Sequence, residues 1–116
     1  RSLRLDTLPE RMLRDRIVRA KLMDFMKTEH AEESLLFWEE VETYRYLVED
    51  AREAKARAIC AEYVDNSAPM QVNLNSSQFR NIEKRVEAGD FGADLFDEGQ
   101  AEISKLTEQK ARAICA

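Results

Sequence analysis

Residues 29–38 read Glu-His-Ala-Glu-Glu-Ser-Leu-Leu-Phe-Trp, so an acidic, small and polar opening runs directly into four large apolar residues. Carboxylates are favourable in the first turn of a helix, because they lie beside exposed N–H groups and the positive end of the helix dipole. Apolar residues then recur at spacings of four, three and four: Phe37, Val41, Tyr44 and Val48. This spacing is one face of a helix. The stretch therefore predicts a central core helix over residues 31–47.

The composition predicts that this helix belongs to an all-α protein with a single domain, residues 1–116. Of the 116 residues, 44% are hydrophobic and 35% are charged, and only three are Gly and two are Pro. A chain of this length buries one core and little more. Few turn residues and few β-branched residues favour helices over strands.

The net charge of −5 argues against nucleic acid or an anionic membrane as a direct partner. No apolar run approaches the ~20 residues of a membrane-spanning helix, so we expect no membrane insertion. The sequence shows no signal-peptide pattern. Cys60 and Cys115 both lie in helical patterns, so we expect reduced thiols and a cytoplasmic protein.

Capping residues predict where the first helices begin and end. Residues 7–10, Thr-Leu-Pro-Glu, have the form of a helix start, and one or two helices are predicted from there to residue 27. Asp50 is a candidate cap for the helix after the central one. Residues 66–69, Asn-Ser-Ala-Pro, should end that helix, because Pro cannot continue it.

Similar signals divide the C-terminal part of the chain. Residues 75–78, Asn-Ser-Ser-Gln, have the form of a capping box that opens a short helix. Residues 89–92, Gly-Asp-Phe-Gly, predict a turn. A last helix is expected to begin near Asp94.

A wider pattern surrounds the start of the central helix. Four residues recur at every fourth position and a Trp follows the last: Phe25, Glu29, Glu33, Phe37 and Trp38. This pattern resembles the best-known segment of the RGS domains, the regulators of G-protein signalling. That segment reads approximately Phe-Leu-x-x-Glu-x-Ser-x-Glu-Asn-x-x-Phe-Trp. Two positions depart from it, because Ala31 stands for the Ser and Ser34 for the Asn.

Three further segments extend the resemblance, in the same order as in the family. Residues 55–63 resemble its Lys-Ala-x-x-Ile…Glu-Phe segment, residues 68–75 its Ala-Pro-x-x-Val-Asn loop, and residues 95–103 its Phe-Asp-x-Ala-Gln helix. Together they cover residues 13–108. The resemblance implies an RGS-type helical bundle, with an antiparallel four-helix core and a second small helical subdomain formed by the two termini.

We expect the large apolar residues of these segments to build the core, with Trp38 packed among Phe25, Tyr44 and neighbouring helices. The expected core residues are Phe25, Phe37, Trp38, Tyr44, Ile59 and Tyr63.

The resemblance also implies a function. RGS domains bind the α subunit of heterotrimeric G proteins (Gα) and speed its GTP hydrolysis by holding its switch loops in the transition-state geometry. They need no arginine finger, because Gα already carries that Arg. This chain would then be a regulatory domain without an active site or cofactor, monomeric and cytoplasmic. Gα would recruit it to the inner face of the plasma membrane.

The family's partner-binding residues carry over to five positions: Glu29, Glu33, Ser34, Asn73 and Leu106. The resemblance implies that the two glutamates meet the switch loops, that Leu106 makes an apolar contact, and that Asn73 contacts the Gα glutamine which orients the attacking water. Asn73 has an alternative reading as a loop residue that bonds its own backbone.

The departures from the family pattern favour a second reading. A Ser34 hydroxyl is shorter than the family's amide, Ala31 loses a polar contact, and Lys110 reverses an acidic charge at the rim. The alternative is therefore an RGS-homology scaffold or docking domain without GTPase-activating activity.

The sequence offers no catalytic or metal-binding set. His30 is the single His, and no Ser or Cys pairs with it in a known arrangement. One His and two helical Cys fall short of a zinc site. The glutamates of residues 29–33 fit a solvated helix start.

Seven residues occur twice: residues 55–61 and 110–116 both read Lys-Ala-Arg-Ala-Ile-Cys-Ala. Their flanks differ, so they are not a solenoid repeat. Two explanations of the second copy stay open: a local duplication, or an error in the sequence at this end.

Overall fold

Five α-helices form the part of the chain that the computed structural model describes, which is residues 15–115 for the backbone and 15–107 for the side chains. The helices are α1 (Arg16–Thr28), α2 (Glu32–Arg45), α3 (Glu49–Ile59), α4 (Ser76–Glu87) and α5 (Asp97–Cys115), and a π-helical turn, Cys60–Val64, continues α3. These residues contain no strand. The all-α prediction is confirmed. The helix start predicted at residues 7–10 lies outside the described residues.

Capping chemistry explains two of the helix starts. The Asp15 carboxylate accepts hydrogen bonds from the N–H groups of Ile17 and Val18, at 2.9 and 3.1 Å. Asn75 and Gln78 form the predicted capping box, each side chain accepting from the backbone N–H of the other, at 2.8 and 3.0 Å. The capping box is confirmed as the start of α4.

Two other predicted starts are wrong. Helix α3 begins at Glu49 after an extended Val48, so Asp50 lies inside its first turn instead of capping it. A carboxylate there still complements the helix dipole. Helix α5 begins at Asp97, three residues after the predicted start. Asp94 lies in the preceding turn, where its carboxylate accepts a hydrogen bond from Arg85 at 2.7 Å.

Aromatic rings from three segments meet in the core: α2, the π turn and the turn before α5. Phe37 makes edge-to-face contacts with Tyr63 and Phe96, at centroid distances of 5.9 and 6.2 Å, and Tyr44 makes another with Phe96 at 5.1 Å. Five of the residues expected in the core are buried: Phe37, Trp38, Tyr44, Ile59 and Tyr63. Phe25 is half-buried and packs against them.

Helices α2 and α5 run antiparallel, as three polar pairs demonstrate. The pairs are Trp38–Ser104 at 3.2 Å, Glu42–Gln100 at 2.8 Å and Arg45–Asp97 at 2.6 Å. Each step towards the C-terminus of α2 matches an equal step towards the N-terminus of α5. These pairs fix the register of the two helices.

Candidate partner-binding surface

The five sequence-predicted partner-binding residues come from four segments of the structure. Glu29 follows α1, Glu33 and Ser34 lie in the first turns of α2, Asn73 lies in the loop before α4, and Leu106 lies on α5. Glu29 and Asn73 are exposed, and the other three are half-buried. Leu106 also packs against the core.

A tight turn joins the first two of these segments. His30 adopts a left-handed conformation, with a φ of 56°, which is uncommon for a residue other than Gly. The turn lets the Ala31 N–H donate to the carbonyl of Met26 at 2.8 Å. Helix α2 therefore begins only three residues after Glu29. Ala31 occupies the N-cap position of α2, and its side chain makes no capping bond.

The loop that carries Asn73 is docked on the end of α3. The Met70 N–H donates to the Glu62 carbonyl at 3.0 Å, and the Val72 N–H donates to the Tyr63 carbonyl at 2.9 Å. The last carbonyls of a helix lack partners within the helix, and here the loop supplies them.

Buried neighbours anchor Asn73 on both sides. Val72 is 2% exposed and Leu74 is 7% exposed, whereas Asn73 between them is exposed. Leu74 meets Phe37 at Gly99, where a Cβ atom would lie 3.2 Å from Leu74 Cδ1 and 3.6 Å from Phe37 Cζ. The Leu74 N–H donates to the Val72 carbonyl at 3.2 Å, so the chain turns at Asn73 between its two buried neighbours.

Core contacts and the helix register relate three of these segments to one another. Leu74 lies beside Phe37, which is one helical turn from Glu33 on the same face of α2. The antiparallel register of the three polar pairs, continued past Ser104, brings the turn of α5 that contains Leu106 level with the first turns of α2. We name the set of five predicted partner-binding residues, Glu29, Glu33, Ser34, Asn73 and Leu106, the Asn73 surface.

The described side chains offer little for covalent chemistry. Within residues 15–107, no three His, Cys, Asp or Glu side chains are grouped to hold a metal ion. Burial raises the pKa of the Cys60 thiol to about 11, so this sulfur is protonated and weakly nucleophilic at neutral pH. A groove of about 640 Å³ lies beside it, between the π turn and α4, and its lining includes Asp65, Glu83 and Glu87. In the same described part, none of the helices is long and apolar enough to cross a bilayer.

The contacts that support the loop before Asn73 and the turn before α2 are not evident from the sequence. The side-chain amide of Gln71 donates a hydrogen bond to the Asp65 carbonyl at the end of the π turn, and His30 forms the left-handed turn. His is one of the residue types enriched at positive φ, a weak signal. Nothing in the local sequence indicated the partner of Gln71, because the acceptor lies six residues away across a loop.

Comparisons with known proteins agree on one family. The family model described as "Regulator of G protein signaling domain" matches residues 9–111. The chain is 34% identical over 98 residues to Regulator of G-protein signaling loco of Drosophila melanogaster, and 33% identical over 93 residues to Regulator of G-protein signaling 19 of Bos taurus. It is also 31% identical over 86 residues to Regulator of G-protein signaling 8 of Homo sapiens.

The matches cover most of this chain and a smaller part of each relative. They include 84%, 76% and 73% of this chain, and 6%, 39% and 47% of loco and of regulators 19 and 8 respectively. The chain therefore spans less than half the length of these relatives.

Proposed function

Because the chain belongs to the RGS domain family, whose model matches residues 9–111, we propose that it binds Gα and accelerates its GTP hydrolysis. In this proposal the chemistry belongs to Gα, which holds the nucleotide, the magnesium ion and the catalytic Arg. The domain contributes a rigid surface that fits the switch loops best in their transition-state arrangement. Binding the transition state more strongly than the ground state lowers the barrier.

The placement of Asn73 is the observation that carries this proposal. Its amide is exposed, while Val72 and Leu74 on either side are buried and the loop is bonded to the end of α3. An amide offers both donors and an acceptor on a short side chain. A polar group fixed before its partner arrives needs no reorganisation at the moment of reaction. This supports a role in orienting the Gα glutamine and its attacking water.

The remaining residues of the Asn73 surface suit the edges of such a contact. Glu29 and Glu33 lie on the two sides of the left-handed turn and offer carboxylates to the switch loops. Leu106 offers apolar area. The proposal places the domain in the cytoplasm as a monomer, held at the inner face of the membrane through Gα.

The chain's departures from the family support a second candidate, a docking domain that binds Gα or another partner without accelerating hydrolysis. Ser34 offers a hydroxyl where the family has a longer amide, and it lies half-buried in the first turn of α2. A shorter group there reaches less far towards a partner. Lys110 lies in the helical end of α5, where its side chain is outside the described residues.

Single-turnover hydrolysis of GTP by a panel of Gα subunits separates the two candidates. Gα preloaded with GTP is mixed with increasing concentrations of the domain, and phosphate release is followed. The proposal expects faster release with at least one Gα class. Binding to Gα without any change in the rate of release would support the docking domain.

A further inference from the structure

The π turn at the end of α3 is the platform on which the Asn73 loop rests. Its backbone is closed by a hydrogen bond from the Asp65 N–H to the Cys60 carbonyl at 2.8 Å. Further along the same turn, the carbonyls of Glu62 and Tyr63 accept hydrogen bonds from the N–H groups of Met70 and Val72. The segment immediately before Asn73 therefore caps the helix end, and π turns often occur at functional sites.

Gln71 adds a side-chain bond to this junction. Its amide Nε2 donates to the Asp65 carbonyl at 2.9 Å and lies 3.4 Å from the Val64 carbonyl. The neighbouring contacts of Met70 and Val72 are made by backbone groups, which most substitutions leave in place. Of the three contacts of residues 70–72 with this junction, the one from Gln71 is therefore the hydrogen bond that an ordinary substitution can remove.

The geometry separates the task of Gln71 from that of Asn73. Exposure alternates along residues 71–74, where Gln71 and Asn73 are exposed and Val72 and Leu74 are buried. Gln71, however, turns its amide back onto the helix end, whereas no described atom accepts or donates to the Asn73 side chain. One amide is used inside the domain, and the other is left for a partner.

We propose that Gln71 is a positioning residue: its bond to the end of the π turn fixes the loop in the geometry that presents the Asn73 amide. This inference rests on the proposed function for its effect on Gα. Small displacements of a group that acts in a transition state lower the rate strongly. Loss of the Gln71 bond should therefore reduce the maximal acceleration of GTP hydrolysis while the affinity for Gα changes little.

The test compares Gln71→Met, which keeps the length of the side chain but donates no hydrogen bond, with Asn73→Ala and the double variant. We expect Gln71→Met to lower the maximal rate about fivefold, with less than a twofold change in the half-saturating concentration of the domain. On the Asn73→Ala background, Gln71→Met should have no further effect. Ser67→Ala, an exposed substitution in the same loop, is the control and should leave the rate unchanged.

Other outcomes overturn the inference. Additive losses in the double variant would mean that Gln71 acts independently of Asn73. A loss of affinity at constant maximal rate would mean that Gln71 contacts the partner directly.

A measurement on the free domain keeps the inference testable even if no Gα responds. In Gln71→Met, we expect the amide hydrogen of Val72 to exchange at least about fivefold faster, while amides in the middle of α5 keep their protection. Unchanged exchange at Val72 would overturn the positioning role whatever the GTPase assay shows. Failure of the wild-type domain to accelerate any Gα would instead overturn the proposed function.

Discussion

The indole N–H of Trp38 on α2 donates to the hydroxyl of Ser104 on α5 at 3.2 Å, in the buried centre of the bundle. Trp38 is 2% exposed and Ser104 is 7% exposed. The ring supplies a large apolar area, and its polar edge requires a partner at one particular height on the opposite helix. The Trp38–Ser104 pair therefore contributes to core packing and also fixes how α2 and α5, which carry Glu33, Ser34 and Leu106, are aligned.

Trp38→Ala should destabilise the domain by roughly 3–5 kcal/mol, because it removes a large buried side chain and leaves a cavity. Ser104→Ala should cost about 1 kcal/mol, since it removes a hydrogen bond and little volume. Urea unfolding of both variants measures the two values. An unchanged unfolding midpoint for Trp38→Ala would contradict the packing described here.

Asn73→Ala should reduce the acceleration of GTP hydrolysis by about tenfold or more while leaving the fold intact, because it removes an oriented polar group from a preorganised surface. Asn73 is exposed, so the melting temperature should stay within a few degrees of the wild-type value. Single-turnover hydrolysis and thermal unfolding check the two parts. An unaltered rate would mean that Asn73 has no catalytic effect, even if the surface binds Gα.

The domain should bind Gα loaded with GDP and aluminium fluoride more tightly than Gα with GDP alone. The physical reason is that a surface complementary to the transition state gains affinity when the switch loops adopt that arrangement. Isothermal titration calorimetry against both forms gives the ratio. Equal affinities would favour the docking-domain candidate.

Gly99→Ala should stabilise the domain by about 0.5–1 kcal/mol, because Ala is favoured over Gly inside a helix. The new methyl would lie 3.2 Å from Leu74 Cδ1, so the gain requires this side chain to shift by a few tenths of an ångström. Gly89 is the matched control. Its φ of 75° makes Gly89→Ala unfavourable by about 1–2 kcal/mol despite the open space around it. Destabilisation by Gly99→Ala would show that Leu74 is held rigidly.

The stability of the domain should depend on Arg85 only while two carboxylates are ionised. Hydrogen bonds from Arg85 at 2.8 and 2.7 Å hold the pKa values of Asp90 and Asp94 below their ordinary range. A lowered carboxyl pKa stabilises the folded state above the ordinary value of about 4, and this contribution is lost as the pH falls through the lowered values.

Arg85→Met should therefore be less stable than wild type at pH 7, and the difference should shrink as the pH falls below about 4. Urea unfolding of both proteins between pH 7 and pH 3 measures this difference. Because both carboxyls are exposed, added salt should also reduce it at pH 7. A difference that stays constant with pH would mean that Arg85 acts through packing alone.

Local patterns were sufficient for much of the fold. The capping box of Asn75 and Gln78 could be predicted because both partners lie within four residues. The starts of α3 and α5 were predicted less accurately than the start of α4. Asp94 has the chemistry of a cap, but Arg85, nine residues earlier on α4, binds it instead. Tertiary contacts decide such competitions, and one sequence does not reveal them.

The duplicated heptapeptide illustrates the same limit at the candidate site. Residues 55–61 enter the π turn at Cys60, whereas the second copy remains α-helical through Cys115. The π turn extends to Val64, beyond the duplicated residues, so the heptapeptide alone does not determine it. The resemblance to RGS domains identified Asn73, but the support from Gln71 became visible only in three dimensions.

The π turn has a consequence for how this domain tolerates changes in chain length. An α-helix turns by about 100° with each residue, so deleting or inserting one residue between Cys60 and Val64 would rotate everything attached beyond it. Helix α3 would survive such a change, but the loop would leave the helix in another direction. A single-codon insertion or deletion here should therefore alter core packing and partner recognition together, because Tyr63 and Val64 of the turn are buried in the core.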